Sequence, residues 1–211
     1  MSTVPLRTPR ALLVAALGLG LLVLRGAGTV TAGPPAAANL PPSEERDLAR
    51  LFRAELKPLG LKVSRGLLQH LETYEADAKG THLALYVEPV DRDYSSAEYV
   101  ENFTTLTRMF VPKVFERWKG LESFDICQEP YADPRESPPP VTQIFLTRSA
   151  LDRVGSWRKA ELPELLAASP RVRSVSAGYY VYFSPTVRTD PAFIEAAKNA
   201  GWLTRSGPDD R

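Results

Sequence analysis

The chain has few of the residue types from which catalytic and metal sites are most often built. Its 211 residues include one cysteine, Cys127, and two histidines, His70 and His82. A single cysteine excludes an intramolecular disulfide and a zinc site made of several cysteine ligands. The histidines lack the HExxH spacing of a zinc hydrolase, and GxGxxG, GxxxxGK[ST] and GxSxG are all absent. A dinucleotide site, a P-loop and a hydrolase nucleophile elbow therefore have no motif to support them.

An excess of charge of one sign is also missing. Lys and Arg together number 26 against 25 for Asp and Glu, a formal net charge of +1. This balance removes the basic surplus expected of a general nucleic-acid-binding protein, and we expect no nucleic-acid partner. The charges are unevenly placed, because the first 32 residues hold Arg7, Arg10 and Arg25 and no acid. The rest of the chain then has 23 basic and 25 acidic side chains and is mildly acidic, with a formal charge of −2.

One long apolar run is present, from Ala11 to Leu24, and arginines precede and follow it. As a helix, these residues would rise about 21 Å, which is short of the roughly 30 Å hydrocarbon core of a bilayer. Such a length is typical of the apolar region of a secretory signal peptide. Val30 and Ala32 supply the small side chains that signal peptidase accepts at positions −3 and −1, and Ala36-Ala37-Ala38 offers a second option. We therefore predict that residues 1–32 are a signal peptide, cleaved after Ala32.

An uncleaved N-terminal membrane anchor is the alternative for the same residues. In that interpretation Arg25 reaches to the outer interface, and residues 26–32 lengthen the span. Both interpretations export the remainder of the chain, because positively charged residues stay on the cytoplasmic side. The protein is then expected to cross the cytoplasmic membrane and to be secreted or tethered at the outer face, with membrane contact only through the N-terminal segment.

A linker and one domain make up the expected exported part. Residues 33–42 read GPPAAANLPP, an uncharged and proline-rich sequence without periodicity, which is typical of a linker. Residues 43–211 then have the length of a single domain. Leucines and Phe52 at helical spacing predict a first helix from Ser43 to Lys57, ended by Pro58 and Gly60. Two strands are predicted between Leu61 and Pro89, joined by a turn at Lys79-Gly80.

The most strongly marked element begins with a capping box at Ser95 and Glu98. A buried stripe predicts a long helix after it, ending at Gly120 in a left-handed C-cap. The remaining expectations are strands over 124–128 and 141–147, a short helix over 163–168, a strand over 174–183, and a helix that begins at Asp190-Pro191 and ends at Gly201. This order predicts a single α+β domain with a mostly antiparallel, or mixed, sheet and helices packed on one face. The strands on either side of the long helix are expected to run parallel.

Candidate reactive residues have ordinary structural interpretations that we favour. Cys127 would act in acyl transfer only with His70 or His82 beside it, and we expect it instead to be a buried strand residue. Loop acids could bind calcium or form a glycosidase pair, but they lack the calcium-loop spacing, and we expect solvated side chains. These acids are Glu88, Asp91, Asp93, Asp125, Glu129 and Asp133. No catalytic, cofactor-binding or metal-ligating residue is assigned, and no cofactor is expected.

A candidate recognition surface is predicted around the strand that contains Tyr180 and Tyr182. These tyrosines alternate with core residues and are expected to be exposed, with Arg171 and Arg173 preceding them. Tyrosine and arginine are enriched in recognition surfaces. The sequence therefore predicts an exported, cell-envelope-associated binding or assembly domain without a catalytic role, whose partner is an envelope protein or a small-molecule ligand. The alternative is an extracytoplasmic hydrolase that uses Cys127 with a histidine, or loop carboxylates.

Overall fold

A five-stranded mixed sheet organises the chain, with strands in the spatial order β1-β2-β3-β4-β5. The computed structural model describes residues 39–71, 80–91, 93–131, 138–170 and 177–202. Neighbouring strands are antiparallel, except that β2 and β3 are parallel. The predicted α+β class, with a mostly antiparallel sheet and a parallel pair around the long helix, is therefore confirmed. The strands are β1 (Leu61–Leu71), β2 (Gly80–Pro89), β3 (Ser123–Gln128), β4 (Thr142–Thr147) and β5 (Tyr179–Phe183).

In the described part of the chain, four α-helices pack against one face of this sheet, as the sequence predicted. Phe103 of the second helix contacts Phe183 of β5, with ring centroids 4.6 Å apart. The Tyr179 hydroxyl donates to the Leu165 carbonyl of the third helix at 2.9 Å. Gly66 of β1 lies so close to the first helix that a Cβ there would meet Leu48. The helices are α1 (Glu45–Leu56), α2 (Ser96–Arg117), α3 (Leu162–Ala168) and α4 (Pro191–Asn199).

The first helix and the hairpin after it follow the predicted pattern. Leu48, Phe52 and Leu56 recur at helical spacing and are buried. Pro58 lies in a short 3-10 turn after α1, and Gly60 ends that turn with a left-handed φ of 65°. The strands β1 and β2 pair in antiparallel fashion. Of the predicted Lys79-Gly80 turn, Gly80 begins β2 with a left-handed φ of 95°, and residue 79 lies outside the described residues.

The long helix begins as predicted and ends earlier than predicted. The Ser95 hydroxyl accepts from the Glu98 N–H, and the Glu98 carboxylate accepts from the Ser95 N–H, so the capping box is formed. The predicted C-cap at Gly120 is wrong: α2 ends at Arg117, with Trp118 in an extended conformation. Trp118 is buried and packs edge-on against Phe52, and the chain leaves the helix to place it there.

The last strand is shorter than predicted, and the last helix agrees with its prediction. Gly178 adopts a left-handed φ of 68°, which interrupts the extended chain, and β5 begins only at Tyr179. Ala177 therefore lies in a turn and not in the strand. At α4, the Asp190 side chain caps the helix by accepting from the Ala192 N–H, and Gly201 has a left-handed φ. Within the described ranges no helix has both the length and the apolar character required of a membrane span.

Candidate functional site

The sheet face opposite the helices is built from polar and aromatic side chains, and we call it the polar face. It arises from strand alternation: Phe124 and Ile126 of β3 join the core on the helix side, so Asp125 and Cys127 project to the other side. Most of these side chains are nevertheless buried. The polar face comprises Arg65, His82, Tyr86, Ser123, Asp125, Cys127, Glu129, Gln143, Phe145, Tyr180 and Tyr182.

Asp125 is at the centre of the polar face and is 7% exposed. Its Oδ1 accepts from the Cys127 thiol at 3.1 Å, and its Oδ2 accepts from the Gln143 amide at 2.6 Å. Both donors are buried as well. A buried carboxylate is costly unless hydrogen bonds replace its hydration, and these two contacts supply part of that replacement. The Cys127 thiol therefore donates a hydrogen bond to the Asp125 carboxylate.

Neither histidine lies beside Cys127. His82 is opposite Ser123 in the β2–β3 register, whereas Cys127 is opposite Tyr86. Four residues of parallel strand separate these two positions, which corresponds to about 13 Å. His70 is exposed and pairs with Thr81, farther still along the sheet. The structure does not bring together the cysteine and histidine that the hydrolase alternative requires.

His82 instead pairs with a hydroxyl group that the sequence analysis did not consider. Its Nδ1 lies 2.9 Å from Ser123 Oγ, and both residues are buried. Burial lowers the pKa of His82 to about 4, although a hydrogen bond with the Ser123 backbone opposes the shift. The imidazole is therefore neutral at pH 7. This contact joins residues 41 positions apart, and only the strand register reveals it.

Arg65 and Tyr86 form the part-exposed edge of the polar face. The Arg65 guanidinium lies 3.9 Å from the centroid of the Tyr86 ring. Arg65 also forms an ion pair with Glu129, whose second oxygen accepts from the Ser64 hydroxyl at 2.7 Å. A register shift between Val63 and Arg65 lets two successive residues of β1 reach the same carboxylate. The pKa of Tyr86 is raised by burial and then by the nearby Cys127 and Asp125.

The predicted recognition residues have different environments. Tyr180 is 3% exposed and stacks on Phe145, its neighbour across β4, with ring centroids 5.2 Å apart. The expectation that Tyr180 is exposed is therefore wrong, because the second face of the sheet is packed as well. Tyr182 is half-buried and lies opposite Gln143. Arg171, Arg173 and the predicted cleavage position after Ala32 lie outside the described residues.

The acidic candidates are dispersed over the described part of the fold. Asp91 and Asp93 are exposed, as expected, and Glu88 pairs with Lys62 at 3.0 Å. Asp125 and Glu129 are buried, contrary to the expectation of solvated acids, because both lie on the packed polar face. Asp133 lies outside the described residues. Among the residues that the structure describes, no group of three or more His, Cys, Asp and Glu is placed to hold a metal ion.

Comparison with known proteins adds no relative to this geometry. No family model matches the chain, and no curated protein or solved structure is significantly similar to it. The side chains of this chain are therefore the basis for its functional interpretation.

Proposed function

We propose that the protein is an exported, cell-envelope-associated binding or assembly domain, and that Arg65, Tyr86 and Tyr182 contribute its recognition surface. The observation that carries the proposal is the Arg65 guanidinium fixed over the Tyr86 ring by the buried carboxylate of Glu129. Arginine and tyrosine are the residue types that most often dominate binding energies at interfaces. Side chains that are already ordered lose less conformational entropy when a partner binds.

The third residue, Tyr182, lies in the same cross-strand row. Tyr86 of β2, Cys127, Gln143 and Tyr182 of β5 are consecutive neighbours across the sheet. Three strand spacings place the two tyrosines about 14 Å apart. Between them lie buried side chains hydrogen-bonded to Asp125. The row therefore has two part-exposed aromatic ends and a rigid centre, which suits recognition of an envelope protein or of a small ligand. No cofactor and no nucleic acid is part of this proposal.

Export rests on the N-terminal sequence, in which an apolar run lies between arginines and precedes a proline-rich linker. The runner-up function, a hydrolase based on Cys127 with a histidine, gains no support from the geometry. Cys127 is 1% exposed and donates to Asp125.

Photo-crosslinking in the exporting cell tests the proposal. A photoreactive phenylalanine analogue replaces Tyr182 in one variant and Glu195, an exposed residue of α4, in the control. We expect a discrete adduct from position 182 and none from position 195, with mass spectrometry distinguishing a protein from a small molecule. Excess purified wild-type domain should suppress the adduct, whereas a folded Tyr86→Leu domain should suppress it at least several-fold less well. Adducts of equal yield at both positions, or equal competition by both domains, would contradict the proposal.

A further inference from the structure

A groove lies beside the beginning of β1, between that strand and α1. Its volume is about 390 Å³. The lining residues come from α1 and its C-terminal turn, from β1, and from the residue that follows β2. They are Ala49, Arg53, Lys57, Leu61, Lys62, Val63 and Val90.

The helical periodicity places this groove at the outer edge of the fold. Leu48, Phe52 and Leu56 turn one side of α1 to the core. Glu55, on one flank of that side, forms an ion pair with Lys113 of α2. The residues Ala49 and Arg53 occupy the other flank, away from α2. β1 is an end strand of the sheet, and this flank overlooks an edge that pairs with no other described strand.

Three cationic side chains and an apolar floor meet in this groove. Arg53 and Lys57 are exposed and have no ion pair among the described residues. Lys62, whose side chain is 52% exposed, is paired with Glu88. Val90, which contributes apolar surface to the groove, is 48% exposed. A cation at the last turn of a helix interacts favourably with the helix dipole. That interaction accounts for cations at this position, but it does not account for the apolar cavity beside them.

We propose that this groove binds an extended acidic peptide segment of a partner protein, which adds as a strand alongside the beginning of β1. The strand is eleven residues long and has a neighbouring strand on one side only within the described sheet. Added strands gain affinity from main-chain hydrogen bonds and specificity from pockets for alternate side chains. Carboxylates on the helix side of such a peptide would meet Arg53 and Lys57, and its apolar side chains would point to the other side of the sheet, the side of Lys62. Arg53 and Lys57 of this site belong to the helix side of the sheet, opposite the polar face.

Fluorescence anisotropy with a labelled decapeptide of alternating Glu and Val tests this inference on the purified chain. We expect saturable binding that weakens about tenfold or more in the double variant Arg53→Glu/Lys57→Glu, because close charge pairs are replaced by repulsion. The matched control is Lys119→Glu/Lys198→Glu, the same charge change at exposed positions elsewhere, which should bind as the wild type does. Circular dichroism verifies that both variants are folded.

Two further probes test the strand geometry and the class of ligand. A Glu-Val peptide with alternate backbone nitrogens methylated should lose binding, since it cannot donate to β1. A Lys-Val peptide should not bind. Undiminished binding of the methylated peptide, equal loss in both double variants, or binding of phosphatidylglycerol vesicles without binding of the peptide would overturn the inference.

Discussion

Several buried polar side chains of the polar face contact a particular partner, whereas the Gln143 Oε1 atom has none among the described residues. Asp125 accepts two hydrogen bonds, Glu129 pairs with Arg65 and Ser64, and His82 contacts a hydroxyl. Unmatched polar groups at these positions would cost roughly 1–3 kcal/mol each. The interior of the face is therefore specific in its contacts, and His82 links its stability to pH.

His82 gives the clearest pH dependence. Its pKa is 6.5 in the unfolded chain and about 4 in the folded protein, so the unfolded state binds the proton more readily between these values. The stability contributed by a neutral His82 is complete above pH 6.5 and is lost as the pH falls towards 4. By pH 5 the loss should be about 2 kcal/mol. Urea unfolding at pH 7.5, 6 and 5 measures it.

The control for this prediction is His82→Gln, which keeps a hydrogen-bonding group and removes the titration. The variant should be less stable at pH 7.5, yet its free energy of unfolding should fall less between pH 7.5 and 5 than that of the wild type. If both proteins lose the same free energy over that interval, His82 does not control it.

The sequence predicted the faces on which strand residues lie, but not the contacts between residues of different strands. Alternation correctly placed Asp125 and Cys127 opposite Phe124, because the period of a strand is two. The same alternation says nothing about register, and so the contacts of His82 with Ser123 and of Arg65 with Glu129 were not predicted. The sequence also did not predict that the polar face is buried, because this burial depends on packing beyond the single strand.

At the scale of elements, the capping box stabilises the beginning of α2 through local contacts, and its contribution to stability can be measured. The Ser95 hydroxyl accepts from the Glu98 N–H at the first turn of a 22-residue helix. Ser95→Ala removes that acceptor and should lower the free energy of unfolding by about 1 kcal/mol in urea denaturation. The neighbouring Ser96→Ala is the control and should change stability by a few tenths of that amount. Equal effects of the two substitutions would show that the cap is not the cause.

Helix beginnings were more predictable than the ends of elements. Ser95 and Asp190 cap their helices through contacts within three residues, so the local sequence contains the whole signal. The end of α2 depends on Trp118, which packs against a residue of α1 far away in the chain. The beginning of β5 depends on Gly178, whose carbonyl accepts from the Thr147 N–H of the adjacent strand. These ends depend on tertiary contacts, which the periodicity of the sequence does not reveal.

For the molecule as a whole, the fold separates the two proposed binding surfaces. The polar face presents Arg65, Tyr86 and Tyr182 on one side of the sheet, while Arg53 and Lys57 border the groove on the helix side. Substitutions in one surface should therefore leave binding at the other unchanged, which makes the two proposals independently testable.

Export of the whole chain depends on residues that precede the described part of the fold. When the full chain is produced with its own N-terminus in a bacterial host, the exported protein should begin at Gly33, as read by N-terminal sequencing and intact mass. Ala32→Arg places a large cation at position −1 and should block cleavage there, so that the longer chain stays with the membrane fraction. An unprocessed wild-type chain would favour the uncleaved anchor, and a mature chain that begins before Arg25 would refute the cleaved signal.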